Sequence, residues 1–161
     1  MKIEITQADY RDGMHADALI LLLDSYACDV MGGGHALSEH VKQNLVAELA
    51  CRPSAFSVLA FVEGRAAGLV NCFEGFSTFS CQPLANIHDV AVLPAYRGKG
   101  IAQLMLLHVE QLARERGCCK LTLEVLQGNR AAQQLYGKLG YAAYQLDPEN
   151  GNALFWQKRL A

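Results

Sequence analysis

Residues 97–102, Arg-Gly-Lys-Gly-Ile-Ala, combine residue types that can bind a phosphate group. Gly98 and Gly100 have no Cβ atoms and would let an anion approach the backbone amides, while Arg97 and Lys99 add positive charge. An apolar pattern with helical spacing follows at once, and a helix N-terminus carries unpaired N–H groups and a partial positive charge. The segment therefore predicts either a pyrophosphate cradle or a basic turn that only starts a helix.

The sequence around this segment excludes two common phosphate-loop patterns. It has no Gly-Lys-Ser/Thr, which a Walker A loop requires, and it lacks the third glycine of the dinucleotide-binding fingerprint. The run before it, residues 85–93, is typical of a strand and is stopped by Pro94, which is the context that a phosphate site needs. Spacing alone leaves the cradle and the plain turn open.

A second constellation, residues 128–141, places a tyrosine on the apolar stripe of a short helix. Asn129 is typical of an N-cap, and Gly140 is typical of the residue that ends a helix. The stripe between them consists of Ala132, Leu135, Tyr136 and Leu139. Tyr136 is therefore either a core aromatic or a phenol that is available for proton transfer.

Composition places the chain among globular proteins with one core. Of 161 residues, 52% are hydrophobic and 19% are charged, and the net charge of −2 is too small to indicate a nucleic-acid or membrane surface. The six cysteines include no Cys-x-x-Cys pair and no zinc-type spacing with histidines, so we expect reduced thiols and no metal site. The apolar run at residues 18–23 is too short to span a bilayer, and we expect a cytoplasmic protein.

The predicted element order is β-α-α-β-β-β-α-β-α-β-β, which is typical of a mixed α/β domain. Strands are predicted at residues 2–8, 56–62, 66–76, 85–93, 120–126, 141–146 and 153–160, and helices at residues 12–31, 38–52, 99–116 and 129–139. Residues 63–65 are typical of a hairpin turn between the second and third strands. Ser38 is predicted to start the second helix, and Gly117 to end the third. Residues 86–126 form a strand–helix–strand unit, for which we expect a right-handed parallel crossover. The buried stripe of the long helix is predicted to consist of Ile101, Leu104, Met105, His108 and Leu112.

Taken together, the two segments resemble the signatures of GNAT-type N-acetyltransferases. Arg97, Gly100 and Ala102 fit the Arg/Gln-x-x-Gly-x-Gly/Ala pattern of that family's acetyl-CoA loop. The Asn-x-x-Ala-x-x-x-Tyr-x-x-x-Gly-Phe pattern is matched, with tyrosine at its last position, by Asn129, Ala132, Tyr136, Gly140 and Tyr141. The resemblance is specific over residues 86–144, and it favours the pyrophosphate cradle over the plain turn.

The resemblance implies a single-domain α/β fold over residues 1–161, in which about seven strands form a central mixed, twisted sheet and about four helices flank it. Residues 1–84 would form mainly the acceptor side, and residues 85–145 the acetyl-CoA-binding core. In this family the fourth strand usually bulges, and its backbone pairs with the pantetheine arm. The implied acetyl-CoA contacts are Val90, Ala91, Val92, Arg97, Gly98, Lys99, Gly100, Ile101, Ala102, Asn129, Ala132 and Tyr136.

The resemblance also implies candidate catalytic groups. Tyr136 matches the tyrosine that protonates the departing thiolate, and a strand N–H of Val90 or Val92 would stabilise the oxyanion. His88 lies where several relatives carry a glutamate that acts as a base through water, and Glu124 is predicted on the next strand. A lone strand histidine is more often structural, so the identity of the base stays open.

The implied function is transfer of an acetyl group from acetyl-CoA, as co-substrate, to a primary amine in a ternary complex without a metal. The loop at residues 29–40 would face the acceptor, and Asp29, His35, Glu39 and Glu74 could bind a cationic amine. Residues 76–90 are similar to the corresponding run of diamine and polyamine acetyltransferases, which favours a small-molecule acceptor and neither a nucleic-acid nor a membrane partner. A protein lysine or N-terminus as acceptor, a non-catalytic acyl-CoA-binding module, and assembly as a homodimer stay open.

Overall fold

A mixed sheet of five strands lies at the centre of the first of two compact units, residues 1–123. The computed structural model describes residues 1–160, and the second unit begins at Glu124. The strands are β1 (Ile3–Gln7), β2 (Ala55–Val62), β3 (Arg65–Ser77), β4 (Gln82–Val92) and β5 (Leu121–Leu123). The helices are α1 (Gly13–Cys28), α2 (Glu39–Ala50), α3 (Ile101–Glu115) and α4 (Arg130–Lys138), with short 3₁₀ turns at Pro94–Tyr96 and Pro148–Asn150. This architecture confirms the predicted α/β class.

The strands follow one another in the sheet in the order in which they occur in the sequence. The pairs from β1 to β4 are antiparallel, and β5 pairs parallel to β4 over residues 85–87 and 121–123. Glu63 and Gly64 form the turn between β2 and β3, with φ of 48° and 75°, as two-residue hairpin turns require. The predicted hairpin and the parallel pairing across the predicted crossover are therefore confirmed.

Helices cover both faces of this sheet. On one face α1 and α2 pack against the strands through a cluster of buried residues. Its members are Ala18, Leu19, Leu22, Leu49, Ala55, Leu59, Phe61, Leu69 and Ala91. Gly68 precedes Leu69 and so points to the other face, where a Cβ atom on it would come within 2.7 Å of Met105 Cε in α3. The side chain of Met105 therefore packs against the backbone at position 68, in the space that a Cβ atom would occupy.

The buried stripe of α3 differs from the predicted one. It consists of Ile101, Met105, Leu106, Val109 and Ala113. Leu104 is 42% exposed and His108 is half-buried, so neither lies at the centre of the packed face. Because residues 104, 106 and 107 are all leucines, more than one face of this helix is apolar in the sequence. Only the packing against the sheet determines which of these faces is buried.

The helix ends follow the predicted caps. The side chains of Ser38 and Asn129 accept backbone N–H groups of α2 and α4 at 3.3 and 3.2 Å. Gly117 and Gly140 follow α3 and α4 with φ of 73° and 88°, a conformation that glycine adopts without steric cost. In the described residues no helix is both long and apolar enough to cross a membrane.

The sheet has five strands where the sequence predicts about seven, because residues 141–146 and 153–160 form no strand. A backbone hydrogen bond of 2.9 Å joins Ala153 N–H to the carbonyl of Tyr144. Phe155 and Trp156, which the alternating pattern assigns to a strand, are 71% and 83% exposed. A strand forms only where its backbone N–H and C=O groups pair with a neighbouring strand, and alternating side chains do not by themselves provide that partner.

Candidate active site

A β-bulge at His88 interrupts the pairing of β3 with β4. Asn71 pairs with Asp89 and Cys72 pairs with Ile87, so His88 is the extra residue. Its exposed ring meets the ring of Phe73 edge-on, with 5.5 Å between the centroids. The structure therefore has the bulge that the family resemblance implies, and it places His88 at that bulge.

The edge of β4 that faces β5 becomes free immediately after the bulge. The β4–β5 pairing ends at Ile87, and in the described part of the chain no strand pairs with this edge over residues 88–92. The N–H of Leu93 donates to Ala67 in β3, so by alternation the backbone groups of Val90 and Val92 point away from β3. These are the two residues of which one is predicted to stabilise the oxyanion with its N–H group.

The loop after β4 keeps the amides at the start of α3 accessible. Gly98 and Gly100 have φ of 75° and 77°, and a Cβ atom on either would point into open space. Gly100 is the N-cap of α3, which has no side-chain cap and no acidic residue in its first turn. Lys99 Nζ donates to the carbonyl of Ala95 at 3.0 Å and lies near the loop. This donor set fits a pyrophosphate, because unpaired helix N–H groups and nearby cations bind such anions.

Arg97, the arginine of the predicted cradle, forms an ion pair that sequence analysis missed. Its Nη2 lies 2.9 Å from Asp29 Oδ2, and its Nε donates to the carbonyl of Val92 at 3.0 Å. Asp29 Oδ1 in turn accepts the N–H of Met31 at 2.9 Å. The Met31 N–H bond, and next the Arg97 bond, lower the pKa of the Asp29 carboxyl. This pair joins the loop that is predicted to face the acceptor to the predicted cradle, within the first unit.

A row of polar side chains crosses the sheet beside the bulge. Ser57 and Asn71 are cross-strand neighbours, as are Asn71 and Asp89. Hydrogen bonds of 2.8, 2.6 and 3.0 Å connect Tyr10 to Ser57, Ser57 to Asn71, and Asn71 to Asp89. Sequence analysis missed this row, although a serine and an asparagine inside otherwise apolar strands were a signal. Burial, and then the charges of Asp89 and Asp29, raise the pKa of Tyr26.

The predicted site residues after Leu123 belong to the second unit, whereas Ala91, Ile101 and Ala102 lie in the first. Asn129 caps α4, where Ala132 is half-buried and Tyr136 is 9% exposed, with its ring centroid 5.8 Å from that of Tyr141. Glu124 lies one residue past the end of β5 and is exposed, so its predicted position on that strand is wrong. β5 is short because its pairing with β4 stops at Ile87, immediately before the bulge.

The fold and these features define an α/β protein in which an open strand edge leads into a glycine-rich loop whose geometry fits an anion. Residues 23–141 match the family model described as the Acetyltransferase (GNAT) family. That match spans well over half of the chain, so the chain belongs to this family.

Individual relatives agree with the family assignment. The match to streptothricin acetyltransferase of Streptomyces lavendulae is 37% identical over 87 residues, 54% of this chain and 46% of that protein. The match to thialysine N-epsilon-acetyltransferase of Bos taurus is 31% identical over 118 residues, 65% of this chain and 68% of that protein. This chain therefore covers less than half the length of the first relative and about two thirds of the second.

A solved structure shares the fold. The structure of AAC(6')-Iy in complex with the bisubstrate analog CoA-S-monomethyl-acetylneamine superposes with a TM-score of 0.77 at 18% identity. The superposition covers 99% of this chain and 100% of that one. At this level of identity the likeness supports the fold alone.

Proposed function

We propose that the chain is an acetyl-CoA-dependent N-acetyltransferase that passes the acetyl group directly to a primary amine of a small molecule in a ternary complex. One observation carries the proposal: the open edge of β4 leads straight into a glycine loop at the start of α3. An extended pantetheine arm would use the strand edge, and its pyrophosphate would use the loop amides. Family membership agrees with this assignment.

The acetyl-CoA co-substrate supplies the acetyl group, and the residues of this chain hold it. The backbone of Val90 and Val92, with Ala91 between them, would pair with the pantetheine arm. The pyrophosphate would be held by Arg97, Gly98, Lys99, Gly100, Ile101 and Ala102. In the second unit, Asn129 and Ala132 match the positions that contact the cofactor in the family.

Besides the bond changes, the reaction needs a donor that stabilises the oxyanion, an acceptor for the proton of the amine, and a proton source for the thiolate. The amine nitrogen attacks the carbonyl carbon, a C–N bond forms, and the C–S bond breaks. A backbone N–H of Val90 or Val92 would stabilise the negative charge on the carbonyl oxygen. His88 or Glu124 would accept the proton that the amine loses, directly or through water, and Tyr136 would donate a proton to the departing thiolate.

The relatives support a small-molecule amine as acceptor. One matched protein is named streptothricin acetyltransferase and another thialysine N-epsilon-acetyltransferase, so both names contain a small molecule, and the second also names a nitrogen as the acetylated atom. The structural neighbour was solved with an acetylneamine analog. A peptide lysine or N-terminus is the competing acceptor, and an acyl-CoA-binding module without turnover is the competing function.

A two-part experiment tests the proposal. Acetyl-CoA at millimolar concentration should raise the Tm, and thiol release should be seen with at least one of spermidine, thialysine, kanamycin or a lysine peptide. No Tm shift would reject the acetyl-CoA site. A Tm shift without thiol release for any amine would instead indicate a binding module, and release with the peptide alone would indicate a protein acetyltransferase.

The role of Tyr136 has its own test. Tyr136→Phe removes one oxygen from a side chain that is 9% exposed, and it keeps the ring that packs near Tyr141. We expect kcat to fall about a hundredfold, within the range for loss of an acid catalyst, while the Kd of acetyl-CoA stays unchanged. Wild-type kcat in this variant would reject the acid role.

A further inference from the structure

The hydrogen bonds of the polar row have only one consistent direction. An ionised carboxylate can only accept, so Asn71 presents its Nδ2 to Asp89 Oδ2 and leaves its Oδ1 for Ser57. The single proton of Ser57 is used in that bond, so Tyr10 must donate in the 2.8 Å bond between the two hydroxyls. The row is therefore a chain of donors that starts at Tyr10 and ends on the Asp89 carboxylate.

This row is an exception within its sheet. Every residue of β2 is buried, and Ser57 and Asn71 are only 1% and 4% exposed among apolar neighbours. Burying a polar side chain costs free energy unless it is hydrogen-bonded, and replacing hydrogen-bonded partners by apolar residues of the same shape can be nearly neutral or even stabilising. A row that is fully hydrogen-bonded but not needed for packing indicates that the position and charge of its last member matter.

Asp89 differs from the other acids on the acceptor side. Asp29 is paired with Arg97, Glu39 with Lys42, and Glu74 with Arg116, at distances of 2.9, 3.9 and 3.6 Å. Among residues 1–160, by contrast, no cation forms an ion pair with Asp89.

The second oxygen of Asp89 is left for a ligand. Asp89 is half-buried beside the bulge, its Oδ2 is occupied by Asn71, and Oδ1 has no hydrogen-bond partner in residues 1–160. A carboxylate that is held by one oxygen can accept an ammonium group on the other.

We propose that Asp89 binds the ammonium group of the acceptor, and that Tyr10, Ser57 and Asn71 are positioning residues that fix its carboxylate. This inference rests on the proposed acetyl transfer to an amine, and it names the residue that recognises that amine. It also accounts for the polar row that spans β2, β3 and β4 at the bulge. The row fixes the Asp89 carboxylate through Asn71, and the bulge places His88 next to Asp89 in β4.

Four variants test the inference with the amine from the panel above that gives the fastest thiol release. Asp89→Asn keeps an oxygen for Asn71 but removes the charge, Asn71→Leu removes the donor at similar volume, and Tyr10→Phe removes the first donor of the row. Asn86→Leu is the matched control, because Asn86 lies on the same strand and donates to Thr122, outside the row.

We expect the effect to decline along the row. The kcat/KM for the amine should fall about a hundredfold in Asp89→Asn, about tenfold in Asn71→Leu and about threefold in Tyr10→Phe. The Kd of acetyl-CoA should stay within about twofold of wild type in all four variants, which a general loss of structure would not allow. If Asn71→Leu does not fold, the comparison of Tyr10→Phe with wild type decides the role of the row.

The outcomes separate this inference from the proposed function. A wild-type protein that binds acetyl-CoA but acetylates no amine overturns both the proposed function and the role of Asp89. If the wild type is active and Asp89→Asn matches it, only the ammonium site is overturned. If Asp89→Asn is impaired but Asn71→Leu and Tyr10→Phe behave like the Asn86→Leu control, the positioning role of the row is overturned.

Discussion

Two glycine-rich loops of the first unit, one before α2 and one before α3, use the same residue type for opposite purposes. In the loop before α2, a Cβ atom on Gly32 would lie 2.7 Å from the carbonyl carbon of Tyr26 and would overlap the carbonyl oxygen. In the loop before α3, Cβ atoms on Gly98 and Gly100 would point into open space. Gly32 thus serves close packing in the first loop, whereas Gly98 and Gly100 leave the backbone accessible in the second.

The hydrogen bonds of the two loops show the same contrast. The loop before α2 closes on Asp29, whose carbonyl accepts the N–H groups of Gly32 and Gly34 at 2.8 and 3.1 Å. The loop before α3 is held by side chains of its basic residues instead, and the amides at the helix start have no side-chain cap. Substitutions in the first loop should therefore report on stability, and those in the second on ligand binding.

The largest expected effect is that of Gly32→Ala on stability. The added methyl group has no room beside Tyr26, so the end of α1 must move. We expect the free energy of unfolding to fall by about 3 kcal/mol, the upper part of the range for overpacking. Denaturant unfolding monitored by circular dichroism measures this change.

Gly13→Ala is the control for the crowded position. A Cβ atom on Gly13, the first residue of α1, meets no atom within 4 Å, and alanine favours a helix. This variant should be as stable as wild type or slightly more stable. A Gly32→Ala protein as stable as Gly13→Ala would show that the loop before α2 yields easily, and the contrast between the loops would not hold.

Only some features of these two loops could be predicted from the sequence. Glycine identity is visible in the sequence, and so is the break that three glycines impose on a helix, but their crowding or openness is a property of packing. The same limit applies to α3, because its three leucines leave open which face is buried. It also applies to residues 141–160, where side chains alternate as in a strand but the backbone pairs with no strand edge. Local signals such as the caps at Ser38 and Asn129 were predicted correctly because they act within a few residues.

Gly100→Asp and Gly34→Asp form a matched pair that isolates access to the backbone. Both glycines have φ of 77° and open space at the Cβ position, so the strain of the substitution, about 1 kcal/mol, should be the same. Only Gly100→Asp places a carboxylate at the start of α3, where it would repel a pyrophosphate. We expect its Kd for acetyl-CoA to rise about a hundredfold or more, as isothermal titration calorimetry would show.

The paired variant decides what the loss of binding means. Gly34→Asp should bind acetyl-CoA with the affinity of wild type, and its Tm should fall at least as far as that of Gly100→Asp, whose carboxylate interacts favourably with the N-terminus of α3. Equal affinity in both variants would remove the loop before α3 from the acetyl-CoA site. Equal loss in both would show that strain, and not access, controls binding.

The candidate site was predicted in part, for a related reason. The cradle and the tyrosine of α4 belong to contiguous motifs, so their residue types and spacing can be seen in the sequence. The partners of Arg97 and Asp89 cannot be seen in this way, because Asp29 and Asn71 are 68 and 18 residues away. Long-range polar pairs are fixed only when the strands and loops are assembled, and a polar residue inside an apolar strand is the one local hint.

The smallest expected effect concerns Asp29, the residue that joins the two loops. The Met31 N–H and Arg97 hold the pKa of its carboxyl below the ordinary value of 3.8, so its stabilisation is present above about pH 4 and is lost as the pH falls through the lowered pKa. Asp29→Asn keeps an oxygen for Met31 but removes the charge. Its Tm should lie below that of wild type at pH 7, and the two values should converge toward pH 2 in thermal unfolding scans.

Arg97→Gln, which breaks the same ion pair from the other side, should give part of this pattern. A Tm difference for Asp29→Asn that is the same at pH 2 and pH 7 would mean that the charge does not join the loops.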